Sequence, residues 1–271
     1  MTQSFIRKSD VDLSDQYLRQ GYVIVPVENL REFHRIQRLV VSAAGEALGS
    51  PEADLEPFLN GIHNAVDSSN LNSLRLEIIR RINNEPWFRA SYFSLARSTL
   101  ESLVGNELAM QLRVNLSIQL PEDDGSLLPV HADVWSGDSP YEVVVWVPLV
   151  DCYGTKAMYI LPPESDQRLK EEFSQHAGGS SEELFERIKQ EIVWIEIKAG
   201  EVLIFNQNLP HGNRVNVEAE TRWSMNCRFK GVFTPYGDKK LGEFFEPITL
   251  KAATRIGMSY RFPSLKDGLE E

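Results

Sequence analysis

The chain reads as an α+β protein with a mainly β core: a helical first hundred residues followed by a strand-rich second half. Two patterns carry this. Up to about residue 104 apolar residues recur at helical spacing, as in Leu30, Phe33, Ile36, Val40, Ala44 and Leu48, which places them on one face of a helix. From Glu107 onward the period becomes two. Between 113 and 120 every even position is apolar and every odd one polar, as in a strand with two unlike faces.

The elements follow in order. Gly21 precedes the β-branched run Tyr22 to Val27, a short strand, and the helix from about 30 to 48 is stopped by Gly49, Ser50 and Pro51. Leu71, Leu74, Ile78 and Ile82 give a helix over 70–82, and Pro86 opens another that runs to about 104. His34 and His63 lie in this half without a partner signal. Beyond 113–120, strands are expected at 141–150, 157–161, 192–198, 201–205, 214–217 and 221–233. About eight strand segments are enough to close a barrel or to form a two-sheet jelly roll. The excursion between them holds charged amphipathic helices at 167–174 and 182–190, around Gly178, Gly179, Ser180 and Ser181, with His176 in a polar setting. A helix is possible near 249–256 before an acidic end.

With no repeat and no linker rich in Pro, Gly or Ser, the 271 residues are expected to form one domain. Residues 1–105 give helical support, 106–235 the core with its insertion at 163–191, and 236–271 a C-terminal extension. The net charge of −11 argues against a general nucleic-acid or anionic-membrane surface. Cys152 and Cys227 give no disulfide framework. There is no signal-like run and no apolar stretch of about 18 residues, so a cytoplasmic location is expected. The oligomeric state is not legible.

The chemistry gathers around His131-Ala132-Asp133. An imidazole and a carboxylate two positions apart on an extended chain project from one face, so both can reach one metal ion. His211, 80 residues later, supplies a third ligand. Two histidines and a carboxylate suit non-haem Fe(II) with open positions for a co-substrate and dioxygen. Arg222, Ser224, Asn226 and Arg228 alternate with Trp223, Met225, Cys227 and Phe229, giving one strand a polar face. A guanidinium there can grip a carboxylate with two parallel hydrogen bonds. Equally, Arg222 and Arg228 suit an exposed sheet face in ordinary salt bridges.

The blocks Pro129-Val130-His131-Ala132-Asp133, Val145-Trp146-Val147-Pro148-Leu149, Gly200-Glu201-Val202-Leu203-Ile204-Phe205 and Pro210-His211-Gly212-Asn213, with Arg222, resemble the phytanoyl-CoA dioxygenase-like branch of the Fe(II)/2-oxoglutarate oxygenases in order and spacing. More loosely, the chain is similar to bacterial oxygenases of carbohydrate gene clusters and aminoglycoside pathways. The resemblance implies a double-stranded β-helix (a cupin-like jelly roll) with helices packed outside. It also implies Fe(II) on His131, Asp133 and His211, and Arg222 and Ser224 on the distal carboxylate of 2-oxoglutarate, with Trp146 beside it. The polar face Arg113, Asn115, Ser117, Gln119 often supplies a further co-substrate contact in that branch, and Gln119 and Asn115 are the choices here. Relatives that halogenate lack the carboxylate, so Asp133 points to oxygen insertion or a related oxidation.

Substrate contacts are expected from Trp135, Ser136, Gly137 and Asp138, which follow the metal carboxylate at the barrel mouth. Asn206, Gln207 and Asn208 suit sugar hydroxyls, and Arg228, if it faces inward, suits a substrate phosphate or carboxylate. A polar turn is the bland alternative for these loops. The excursion at 163–191 is a candidate lid. The expected function is dioxygenase chemistry on a small polar molecule, a sugar or sugar conjugate, in carbohydrate or secondary-metabolite biosynthesis. The alternative is a sugar- or metal-binding barrel without turnover.

Overall fold

A computed structural model describes residues 5–49, 54–172 and 179–262. Along the chain run α1 (Lys8–Gln20), β1 (Tyr22–Pro26), α2 (Leu30–Ala47), α3 (Leu55–Gly61), α4 (Ser68–Asn84), α5 (Phe88–Ser94) and α6 (Arg97–Leu103). The strands β2 (Leu108–Gln111), β3 (Asn115–Gln119), β4 (Val143–Pro148) and β5 (Tyr159–Ile160) follow. After α7 (Pro163–Glu172) and α8 (Ser181–Ile188) come β6 (Val193–Trp194), β7 (Glu201–Asn206), β8 (His211–Gly212), β9 (Arg222–Gly231), β10 (Phe245–Pro247) and α9 (Ala252–Ser259).

The α+β character expected from the periodicity is observed, with antiparallel strand pairing. In the larger sheet the order is β1-β7-β4-β9-β2-β10, with β3 also paired to β9. The smaller sheet is β6-β5-β8, and an isolated bridge between His131 and His211 adds one more segment at its edge. Strand β9 is the axis of the larger sheet, flanked by β4 on one side and by β3 and then β2 on the other.

Its alternation is realised. Trp223, Met225, Cys227 and Phe229 are fully buried in the cluster that the sheet shares with Phe33, Ile36, Ile78 and Tyr92 of the helices. Trp223 is tied further by Nε1 donating to the Leu59 carbonyl at 2.8 Å. On the opposite face, Trp146, Leu203 and Phe205 of the large sheet pack with Met158, Ile160 and Ile195 from β5, β6 and their flanks. The two sheets therefore meet across an apolar layer, and the polar residues of β9 point to this side. Trp223→Ala is expected to cost about 3–5 kcal/mol from the cavity it leaves, read by urea unfolding, with the polar face unaffected.

Several expectations need correction. The helix expected from Pro86 to 104 is two, because Ala96 is non-helical (φ −143°, ψ 25°). Glu28 explains the break: its carboxylate accepts from the amides of Ser98 and Thr99 and caps a new start. The strand expected at 214–217 is reduced to one bridge between Asn216 and Pro121. There the polar groups satisfy one another locally, Asn216 bonding to the Glu220 carbonyl and the Glu218 amide. Helices α1 and α3 and strands β2, β8 and β10 are additional. The polar character of 8–20 hid α1, which buries no residue completely and packs through Leu13 and Tyr17. The insertion holds α7 and α8 as expected, while His176 lies outside the described residues. Among the described residues no helix is long and apolar enough to cross a membrane.

Candidate metal and co-substrate site

The bridge between the strands carrying His131 and His211 is what assembles the site. Each residue's amide donates to the other's carbonyl, at 3.0 and 2.8 Å, so the two imidazoles lie side by side with centroids 4.3 Å apart. Each ring is oriented by its own backbone: His131 Nδ1 bonds the Pro129 carbonyl at 2.9 Å, and His211 Nδ1 bonds the Leu209 carbonyl at 2.8 Å. A carbonyl only accepts, so both Nδ1 atoms carry a proton, which leaves Nε2 of each ring as the nitrogen that faces the metal position. Asp133 opens a short 3-10 turn (Asp133–Ser136) and brings Oδ1 to 3.5 Å from His131 Nε2. One ligand atom from each of His131, Asp133 and His211 lies within 4.8 Å of the others. Among the described residues this is the one such cluster.

The second carboxylate oxygen is occupied. Arg228 Nη2 donates to Asp133 Oδ2 at 2.8 Å, and Arg228 Nε donates to Gln207 Oε1 at 2.9 Å. Behind them Asp138 meets Arg228 at 3.4 Å and Lys239 at 2.6 Å, while Gln207 Nε2 donates to Glu142. Arg228 therefore faces inward, as a substrate contact requires, but its guanidinium is engaged by carboxylates. Asp138, expected at the mouth, is buried and ion-paired instead. Lys239 comes from the C-terminal extension, whose role periodicity did not reveal. The contact is close: Gly137, at φ +87°, lies where a Cβ would collide with the Asp238 carboxylate.

This network sets the electrostatics. Burial opposes charge on Asp133, but its bond to His131 and the Arg228 guanidinium prevail, holding its carboxyl well below the usual range. Burial also works against a charged His131, yet Asp133 and the Pro129 carbonyl outweigh it and the net shift is upward from 6.5. Burial and the neighbouring His131 pull His211 down to about 4. His211 is thus neutral across the physiological range, and His131 is where protons compete with a metal. Metal affinity is expected to fall as pH drops through the titration of His131, which lies above its ordinary value. Titration with Co(II) at about pH 8 and about pH 6 checks this, and equal affinity at both would remove His131 from the ligand set. Arg228→Lys, which keeps the charge but not the fork, should weaken metal affinity by roughly 10–100-fold, as loss of an outer-shell partner does. Isothermal titration reads it.

The cavity in front of the triad is about 130 Å³ and lies between the sheets. Trp146 from β4, Phe205 from β7, and Arg222, Ser224, Asn226 and Arg228 from β9 line it together with His131, Asp133 and His211. Phe205 stands edge-on to His211 with centroids 5.0 Å apart. Arg222 is buried and makes only long contacts, to the Ala157 carbonyl at 3.5 Å and Ser117 Oγ at 3.4 Å. Its Nε and the Ser224 hydroxyl are buried without any partner among the described residues. Burial lowers the Arg222 pKa to about 10, so it remains charged at neutral pH. Nearby Cys152 is pushed up to about 12 by burial and gives no counter-charge. A buried cation and hydroxyl left unsatisfied in a cavity fit an anionic, hydrogen-bonding ligand.

The two residues chosen on β3 are placed differently. Gln119 is opposite Arg222 in register but donates to the Arg214 carbonyl at 2.5 Å, and Asn115 bonds Asn226 at 3.2 Å. Neither lines the triad's cavity. Ser117, from the same polar face, does, and cross-strand register with Ser224 is the signal that would have selected it. Trp135 is 45% exposed and outside the cavity. Asn208 donates to the Pro140 carbonyl and, through its amide, to Asn206, so these two brace the turn. His34 makes a local bond to Gln37, and His63 bonds Thr221, 158 residues away, next to Arg222.

A two-histidine, one-carboxylate cluster held between two antiparallel sheets could hold a metal ion and has the ligand types that suit a non-haem centre. No family model matches the chain, and no curated protein matches it in sequence. Solved structures do match in fold. A non-heme monooxygenase, ThoJ, solved as a nickel complex, aligns with TM-score 0.52 and 17% identity over 90% of this chain and 86% of its own. EctD from S. alaskensis with bound Fe aligns with TM-score 0.54 and 17% identity, covering 87% of this chain and 80% of EctD. EvdMO1 aligns with TM-score 0.55 and 14% identity over 83% of this chain and 51% of its own. The chain shares the fold of non-haem oxygenases.

Proposed function

We propose that this protein is an Fe(II)/2-oxoglutarate-dependent oxygenase on a jelly-roll core, acting on a small polar substrate such as a sugar conjugate. The observation that carries the reading is Arg222: a buried guanidinium with an unpartnered Nε, in the same cavity as the triad and ion-paired to no carboxylate among the described residues. A metal-binding barrel alone has no use for it, whereas a dicarboxylate co-substrate supplies the missing charge.

His131, Asp133 and His211 would hold the iron. Arg222 and Ser224, with Ser117 beside them, would bind the distal carboxylate of 2-oxoglutarate. When bound, the pair supplies oxidative decarboxylation of the co-substrate coupled to oxidation of a C–H bond, with hydroxylation as the default outcome. The chain's own part is placement and shelter. Trp146, Phe205 and Met158 wall the cavity with apolar surface and keep water from it. Arg228 holds Asp133 with one oxygen turned to the metal position.

The test is an anaerobic titration of the metal-free protein with Fe(II) and 2-oxoglutarate, followed by the visible charge-transfer absorption of the chelate and then by succinate formation in air. The absorption is expected in the wild type and lost in His211→Ala. A folded wild type that shows neither absorption nor succinate leaves the barrel as a binding module.

A further inference from the structure

The cavity at the triad, about 130 Å³, is smaller than the roughly 300–1,000 Å³ of pockets that bury a small-molecule ligand. Filled by a co-substrate, it leaves little room for a second molecule. A larger cavity of about 580 Å³ adjoins it, and Ser117, Leu128, Asn213, Arg222 and Asn226 line both. Its outer wall is one face of α4: Ser68, Leu71, Asn72 and Arg75 lie at the i, i+3, i+4, i+7 spacing that aligns side chains along a helix. Opposite runs β3, paired on one side only among the described residues.

Three arginines line these two cavities, and two have an assigned partner. Arg228 is held by Asp133 and Asp138, and Arg222 is the seat proposed for the co-substrate. Arg75 donates to Asn72 Oδ1 at 2.7 Å and to the Leu116 carbonyl at 3.4 Å, and meets no carboxylate among the described residues. The acid in the same wall, Asp123, is engaged by hydroxyls and amides, accepting from Ser126 Oγ, the Gly125 amide and Ser68 of α4. In a chain of net charge −11, a half-buried guanidinium that lines a polar cavity and is ion-paired to no carboxylate among the described residues suits a bound anion.

We propose that this second cavity receives the prime substrate and that Arg75 recognises an anionic group on it, a phosphate or a carboxylate. The inference rests on the oxygenase reading above. Asn72, Asn115 and Asn226 supply amide donors and acceptors for hydroxyl groups along the cavity. The anionic end then lies at α4 and the carbon to be oxidised at the shared wall, where Ser117 and Asn226 border the triad's cavity. Substrate recognition thereby falls to α4 and β3 in place of Trp135 and Asp138.

The experiment is calorimetric titration of the metal- and 2-oxoglutarate-loaded protein with inorganic phosphate and, separately, with D-gluconate. The wild type is expected to bind at least one of them, and which one distinguishes phosphate from carboxylate recognition. Arg75→Gln should weaken that binding by about tenfold or more, and Arg75→Lys should restore part of it. No heat with either anion, or equal affinity in Arg75→Gln with its circular dichroism unchanged, overturns the proposal. The charge-transfer absorption of the same samples separates the two readings. If it is absent, the oxygenase assignment fails, and an Arg222→Gln background still shows whether anion binding depends on Arg75.

Discussion

Asp133→Ala is expected to abolish iron binding and all metal-dependent turnover while the protein stays folded. The substitution removes one of three ligands from a site whose remaining two are neutral imidazoles, so the metal loses its only anionic partner from the chain. It also strips Arg228, 15% exposed in its side chain, of its nearest carboxylate. Breaking a buried ion pair on one side costs roughly 3–5 kcal/mol when nothing takes over. Here Asp138 at 3.4 Å and Gln207 at 2.9 Å remain on the guanidinium, so the loss should fall below that range. The measurement is an anaerobic Fe(II) titration alongside thermal unfolding. Wild-type iron affinity in Asp133→Ala would sink the triad.

That His131, Asp133 and His211, which the structure brings together, could be grouped in advance follows from their chemistry. His131 and Asp133 lie two apart on one extended segment, and few chemical roles require that spacing followed by a histidine and an arginine. Strand β9 was legible for a similar reason, since a period of two assigns Arg222 and Trp223 to opposite faces whatever the partner strands are. What periodicity cannot supply is pairing. Choosing Ser117 over Asn115 and Gln119 needs the register of β3 against β9, and finding Arg228 on Asp133 needs a contact between residues 95 positions apart. Lys239 and Arg75 were hidden for the same reason. Each is an ordinary charged residue in sequence and becomes informative only when its surroundings show a partner, or none. The strand expected at 214–217 failed through side chains such as Asn216, which bonds locally and takes the place of a ladder.

Arg222→Ala is expected to leave iron binding unchanged and to weaken 2-oxoglutarate by about 2–5 kcal/mol, the cost of truncating one partner of a buried charged pair. At about 1.4 kcal/mol per tenfold, that is roughly thirtyfold to a few thousandfold in affinity. Solvent screening gives no reason to discount it, because Arg222 is buried. The effect on the free protein should have the opposite sign to that of Asp133→Ala. Without co-substrate Arg222 is a desolvated cation with an unpartnered Nε and no ion pair to a carboxylate among the described residues, so its removal relieves a cost and the variant should be no less stable than the wild type. Arg222→Lys keeps charge without the planar fork and should fall between the two. Titrating 2-oxoglutarate against the Fe(II)-loaded variants, with thermal midpoints measured in its absence, tests both halves. Unchanged co-substrate affinity would make Arg222 a structural residue and remove the observation on which the oxygenase reading rests. Weakened affinity with a stabilised apo-protein would fit a cation held in place for a ligand, at a standing cost to the fold.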